Sequence, residues 1–206
     1  MLHSPPTRVD LEKRERAFQG YFAIDRYHLR HEQFGGGMAP PVSREIFERG
    51  HAVCVLPYDA VRDEVVLIEQ FRPGPFAADD PAPWLIETVA GIIEAGEDAQ
   101  TVARREAVEE SGLTLGRLVP LSTQYMSPGG SSETIQLFIG ECDCTQAGGL
   151  HGLAEEGEDI RVFTLPFAEG LAMAQDGRIR NAMTTIALMQ ANCHRQALRK
   201  DWAASK

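Results

Sequence analysis

Positive charge is what this chain has least of: 20 Lys and Arg stand against 30 Asp and Glu, a net −10 over 206 residues. A surface built to hold nucleic acid needs the opposite balance, so no nucleic-acid partner is expected, and an anionic ligand must be drawn in by local cations against the global field. Cysteine is scarce as well. The four are Cys54, Cys142, Cys144 and Cys193, and Cys142-Asp143-Cys144 has no second pair at zinc spacing. Reduced thiols in a cytoplasmic chain are therefore expected, with no disulfide framework or zinc site. No apolar run reaches membrane-spanning length, and Arg8, Glu12, Lys13 and Arg14 open the chain without the apolar stretch of a signal peptide, so no membrane partner is expected. Internal repeats and low-complexity tracts are absent too.

What is present suits one sizeable core: 43% of residues are hydrophobic and 24% charged. His51 to Pro57 and Glu64 to Phe71 are apolar, β-branched runs separated by Tyr58 to Asp63, a hairpin pattern. Thr134 to Ile139 and Ile160 to Leu165 read as further strands. Pro166 to Gln175 reads as a helix stopped by Asp176-Gly177, and Asn181 to Lys200 as a longer one with Ile186, Met189, Cys193 and Ala197 at helical spacing. Strands interleaved with helices predict an α/β fold over residues 51–206. Residues 1–50 read differently: a polar start, a strand from Tyr21 to Arg30, a Gly35-Gly36-Gly37 turn, and a strand from Val42 to Phe47. That is too little to bury a core of its own. It predicts an N-terminal sheet that packs on the main domain or on a second subunit.

The most informative segment is GIIEAGEDAQTVARREAVEESGL, residues 91 to 113. Asp98 is a good N-cap and Gly112 a good stop, which predicts a helix over Ala99 to Ser111. Glu106, Glu109 and Glu110 then share one face near the negative end of the helix dipole. Each like-charge pair costs about 0.2–0.5 kcal/mol, and only the Arg105 and Glu109 pair at i,i+4 offsets any of it. A bound cation removes the penalty. Carboxylates without histidine or thiolate are hard oxygen ligands, which favours Mg²⁺ or Mn²⁺ over zinc and points to phosphate chemistry. A solvated acidic helix face is the competing reading.

Gly91, Glu97, Arg105, Glu106, Glu109, Glu110 and Gly112, with apolar Ala107 and Leu113, stand in the spacing of the Nudix box, and the segment is identified as a member of that family on those positions. The resemblance implies an α/β/α sandwich with a mixed sheet and a hydrolase of nucleoside diphosphates linked to another moiety. It also implies two or more divalent ions, Mg²⁺ or Mn²⁺, held by Glu106, Glu110 and the Ala90 carbonyl. Arg105 with Glu97 would be a structural pair, Gly91, Glu109 and Gly112 structural positions of the box, and Ile92 a substrate contact.

The likeness continues outside the box. Pro128, sixteen residues past Gly112, lies in Ser127-Pro128-Gly129-Gly130-Ser131-Ser132-Glu133, which resembles the marker loop of the ADP-ribose pyrophosphatase branch. Read from its residues alone, it is a turn carrying Ser127 and Glu133, able to meet a sugar or phosphate, or an ordinary loop. Leu153 to Asp159 places four acids and one glycine in a loop before a strand. In similar enzymes such a loop closes on the site, with a base and a metal ligand that map to Glu156 and Glu158. Those enzymes are homodimers that exchange N-terminal strands and hold adenine between an aromatic residue of one subunit and an arginine of the other. The matching positions are Tyr21 or Phe22 and Arg44, beside Glu45 and Arg49. Arg72, after the run Val65 to Phe71, suits diphosphate oxygens or a partner in Glu69 or Glu87; the family places an arginine there. The resemblance therefore implies Mg²⁺-dependent cleavage of ADP-ribose. The alternatives are another nucleotide sugar such as GDP-mannose, or a catalytically silent ADP-ribose-binding module.

Overall fold

The computed structural model describes residues 5–203, which form two compact units: the described residues up to Gly50 with Ser127–Glu133, and His51–Met126 with the described residues from Thr134 onward.

The larger unit is a mixed sheet covered by helices on both faces. Its strands are β4 (His51–Asp59), β5 (Glu64–Phe71), β6 (Trp84–Glu87), β7 (Val89–Ile93), β8 (Leu118–Tyr125), β9 (Thr134–Glu141), β10 (Gly149–His151) and β11 (Ile160–Pro166). The path runs β10-β11-β5-β4-β9-β8, and β4 with β9 is a parallel pair. Side chains alternate across a strand, so β4 sends Ala52, Cys54, Leu56 and Tyr58 to one face and Val53 and Val55 to the other. A short helix α1 (Pro73–Ala77) follows β5. The first face packs on α3 (Phe167–Gln175) and α4 (Ala182–Ala203), through Phe167, Leu188 and Trp202; the second packs on α2 (Ala99–Ser111), through Val102, Ala103 and Ala107. Burial on both faces is why β4 and β5 read as continuous apolar runs. The α/β/α sandwich expected from the sequence is therefore present.

One irregularity shapes the site. β5 bonds β4 only at Tyr58↔Val65 and Asp59↔Glu64, beside the hairpin. Beyond that the two strands part, and the segment from Trp84 to Ile93 fills the gap, as β6 against β5 and β7 against β4. At the crossing, the Thr88 N–H donates to Thr184 Oγ1 (2.9 Å) and the Ala90 N–H to Glu110 Oε2 (3.0 Å). Side chains of two different helices thus take over what a sheet ladder normally satisfies.

The smaller unit is an antiparallel sheet of β1 (Val9–Gln19), β2 (Ala23–His31) and β3 (Val42–Glu48) in that order. Two expectations change here. The stretch read as a polar start is the strand β1, concealed because register shifts at Leu11/Lys13 and Arg16/Phe18 interrupt its two-residue period and most of its side chains are exposed. Tyr21 and Phe22 are not strand residues: they occupy the tight connection from β1 to β2, where the Gly20 N–H donates to the Phe22 carbonyl at 2.8 Å. β8 was missed for a related reason, since it is irregular between Pro120 and Ser122. The loop Ser127–Glu133 belongs to this unit through β3. The Phe47 N–H donates to the Gly130 carbonyl (2.8 Å), Ser131 Oγ to the Phe47 carbonyl (3.2 Å), and Ser132 Oγ to Glu48.

Candidate active site

The helix α2 has the limits its caps dictate. Asp98 accepts the Thr101 N–H at 3.0 Å, and Gly112 ends the helix at φ 68°, a left-handed conformation glycine adopts without strain. A Cβ on Gly112 would also lie 2.6 Å from His151 Cε1. Gly91 is fixed by space alone: a Cβ there would sit 2.0 Å from Glu106 Oε1, so only glycine lets the Glu106 carboxylate rest on β7.

Glu110 is 3% exposed, with its Oε2 accepting the Ala90 N–H. Burial pushes its pKa up to about 8; the Ala90 hydrogen bond opposes this, while Glu106 and Glu158 reinforce it. Burial likewise raises Glu106, to about 7, against the pull of Arg105. Two deprotonated carboxylates here have too little countercharge from the protein. Arg105 is shared, its Nη1 lying 2.9 Å from both Glu106 and Glu109, and the pair expected with Glu97 is present at 3.9 Å. Glu97 has a second task, accepting the Glu94 N–H at 3.0 Å.

Glu158 is electrostatically coupled to Glu106, Glu110 and Arg72. Its carboxylate accepts the Leu153 N–H at 3.1 Å, closing the short 3₁₀ turn Ala154–Glu156. Glu156 lies exposed in that turn. Glu106, Glu110 and Glu158 thus interact electrostatically and the Ala90 backbone bonds Glu110, while no such interaction is seen for the exposed Glu156 among the described residues. The segment is fastened to the end of α2 by the Gly152 N–H, which donates to the Glu109 carbonyl at 3.2 Å, and by His151 over Gly112. Sequence reading missed His151 and Gly152; Gly148 and Gly149 before the histidine and Gly152 after it gave no signal beyond a turn. Among the described residues, no three His, Cys, Asp or Glu side chains already stand as a ready ion cage.

Arg72 follows β5, and of the two protein partners the sequence offered it takes Glu87. Its Nε (2.8 Å) and Nη2 (2.7 Å) both donate to Glu87 Oε2, whereas Glu69 pairs with Arg161. Burial disfavours the Arg72 charge, but Glu87, then Glu110 and Glu158, outweigh it and hold its pKa above the ordinary value. Ile92 is half-buried on β7, opposite Ala52.

The remaining positions lie in the smaller unit. Phe22 is occupied, edge-on to Phe47 (5.3 Å between centroids) and beneath the Arg49 guanidinium at 5.2 Å. Arg49 also pairs with the buried Glu133 at 3.3 Å. Tyr21 is 89% exposed. Arg44 is exposed, bonded only to the Ser43 carbonyl among the described residues, and Glu45 pairs across strands with Arg26 at 2.7 Å. The Ser127 carbonyl accepts the Gly130 and Ser131 N–H groups, making the turn.

Carboxylates gathered at the end of a glycine-flanked helix, over a mixed sandwich, define the class. The NUDIX domain family matches residues 48–182, and the chain belongs to it. The chain is 48% identical over 195 residues to the ADP-ribose pyrophosphatase of Escherichia coli (strain K12), covering 95% of this chain and 93% of that one. It is 39% identical over 145 residues to a GDP-mannose pyrophosphatase of Escherichia coli O1:K1 / APEC, covering 70% of this chain and 75% of the relative. A solved structure described as an ADP compounds hydrolase superposes with a TM-score of 0.69 at 20% identity, covering 96% of this chain and 98% of that one, which attests the fold.

Proposed function

We propose that this protein hydrolyses the diphosphate of ADP-ribose to AMP and ribose 5-phosphate, using Mg²⁺ or Mn²⁺, with two or more ions in the site. The observation that carries the reading is the buried Glu110 beside the half-buried Glu106, both with raised pKa values, in a chain whose relative at 48% identity over 95% of its length is an ADP-ribose pyrophosphatase.

The donor set fits hard divalent ions. Glu106 and Glu110 offer carboxylate oxygens, the Ala90 carbonyl would add a backbone ligand, and Glu158 is near enough to be coupled to both carboxylates. The ions would neutralise diphosphate charge and orient the attacking water. Arg72 binds a diphosphate oxygen. Glu156, exposed on its turn, acts as the base that removes the water proton, and it reaches the site when the Leu153 to Asp159 loop closes on bound substrate. A late-arriving base leaves the metal-ligand cluster unable to activate water until diphosphate is in place.

The N-terminal sheet forms a homodimer in which the adenine stacks on the exposed Tyr21 of one subunit and Arg44 of the other, since Phe22 is already packed. Glu45, Arg49, Ser127, Glu133 and Ile92 complete the substrate contacts. The relative at 39% identity makes GDP-mannose the second reading.

One incubation separates these. Purified protein and Glu156→Gln are given Mg²⁺ with ADP-ribose, GDP-mannose, NADH and diadenosine compounds, and the products are resolved by chromatography. AMP released fastest from ADP-ribose, and lost in the variant, supports substrate and base. Faster cleavage of GDP-mannose transfers the reading to that substrate. Binding of ADP-ribose without cleavage of anything overturns the enzyme.

A further inference from the structure

Glu87 is a buried carboxylate, 1% exposed, and both its oxygens are filled. Oε2 accepts from Arg72 Nε and Nη2 and from Gln70 Nε2 (3.4 Å); Oε1 accepts from Asn181 Nδ2 at 2.8 Å. Asn181 is itself fixed. Its Oδ1 accepts from the Thr184 N–H and Oγ1, each at 3.0 Å, at the start of α4, and Thr184 Oγ1 accepts the Thr88 N–H. Glu87 therefore joins the end of β5, the β6 to β7 crossing and the first turn of α4.

A buried ion pair adds little to stability, because desolvation offsets its attraction. Such a pair has more effect on geometry. Arg72 keeps two of its three nitrogens on one Glu87 oxygen, its side chain is 36% exposed, and Nη1 bonds no group among the described residues. We infer that Glu87, seated by Asn181, is a positioning residue: it fixes the Arg72 fork so that Nη1 remains for a diphosphate oxygen. The inference rests on the phosphate role proposed above for Arg72. Without the Glu87 charge, Arg72 loses the carboxylate that holds two of its nitrogens, and its third is no longer aimed.

Glu87→Gln keeps the shape and removes the charge, and Asn181→Ser keeps a helix-capping oxygen while removing the donor to Oε1. The test measures kcat and KM on ADP-ribose and GDP-mannose, whose common part is the diphosphate, together with calorimetric ADP-ribose binding in Ca²⁺ and melting temperature. Glu87→Gln is expected to raise KM and the Ca²⁺-state Kd about tenfold or more, the size of a lost charge-assisted hydrogen bond, with kcat changed less than about threefold. Asn181→Ser moves both the same way by less. Arg72→Ala combined with Glu87→Gln should be no worse than Arg72→Ala alone, because Glu87 acts through Arg72. Additive losses in the double variant, or a Glu87→Gln protein that melts earlier with KM and Kd unchanged, overturn the inference and leave the hydrolase standing. A wild-type protein that neither cleaves nor binds any diphosphate of the panel overturns both.

Discussion

The carboxylates of α2 and those of the 153–159 turn have the same chemistry and are held in opposite ways. Glu106 and Glu110 are placed by neighbours that leave no freedom: a glycine whose Cβ would collide with one, and a strand N–H that donates to the other. Glu156 is exposed on a turn closed by its neighbour Glu158. Under the proposed function, a site assembled this way separates fixed metal-binding carboxylates from an exposed base. Substitution of Glu106 or Glu110 should therefore alter metal response and activity together, and substitution of Glu156 activity alone.

The largest effect is expected for Glu110→Gln. The amide keeps an oxygen for the Ala90 N–H and removes the ionisable carboxyl. Activity should fall about a thousandfold or more, since metal assistance is worth several kcal/mol. The melting temperature without metal should hold or rise, as replacing a buried, poorly compensated carboxylate relieves strain at the site. A metal-free melting curve and a Mg²⁺ titration read both quantities. Loss of activity accompanied by a large drop in metal-free melting temperature would show the residue to be structural.

Next is Glu156→Gln, for which a general base predicts a loss of about 10²–10⁴ in kcat. Its exposure predicts an unchanged melting temperature and an unchanged shift on adding Mg²⁺. If the Mg²⁺ shift disappears instead, Glu156 is a ligand and the contrast between the two regions fails. Gly112→Ala is a smaller perturbation, with a left-handed φ of 68° and His151 in the way. A cost of about 1–3 kcal/mol follows from the backbone alone. Activity should fall somewhat more than stability explains, because His151 and Gly152 fasten the Glu158 segment to the end of α2.

The same contrast explains what the sequence made legible. The box could be read because its signals are local: Asp98 and Gly112 cap one short helix, and that helix carries the three glutamates. Glu87 could not be read, since its meaning depends on Asn181, ninety-four positions away, and on a strand crossing that no periodicity announces. β1 was hidden by its bulges and charged surface, and the placement of Ser127–Glu133 beside β3 depends on backbone hydrogen bonds that leave no trace in residue type. For Tyr21 and Phe22 the expected conformation is not the one adopted: a tight connection replaces the first residues of the expected strand.

A third kind of carboxylate sharpens the comparison, because the protein supplies its cations. Asp63, in the hairpin between β4 and β5, accepts from Arg195 Nε at 2.8 Å, from Tyr58 Oη at 2.8 Å and from Arg199 at 3.1 Å. Arg195 chiefly, against some burial, lowers its pKa from the ordinary 3.8. A depressed carboxylate contributes stability that is fully present above its unfolded value and is lost as pH falls through its folded one. Asp63→Asn removes that contribution, and asparagine accepts the positive φ of 60° at this position about as readily as aspartate. The variant should melt a few degrees below wild type at pH 7, with the gap closing as the pH drops below about 3.8. Mg²⁺ should stabilise both proteins equally, since this carboxylate has its cations already. A gap that persists in acid would assign the loss to packing, and a Mg²⁺ response that changes with Asp63 would mean the hairpin and the carboxylate site are coupled.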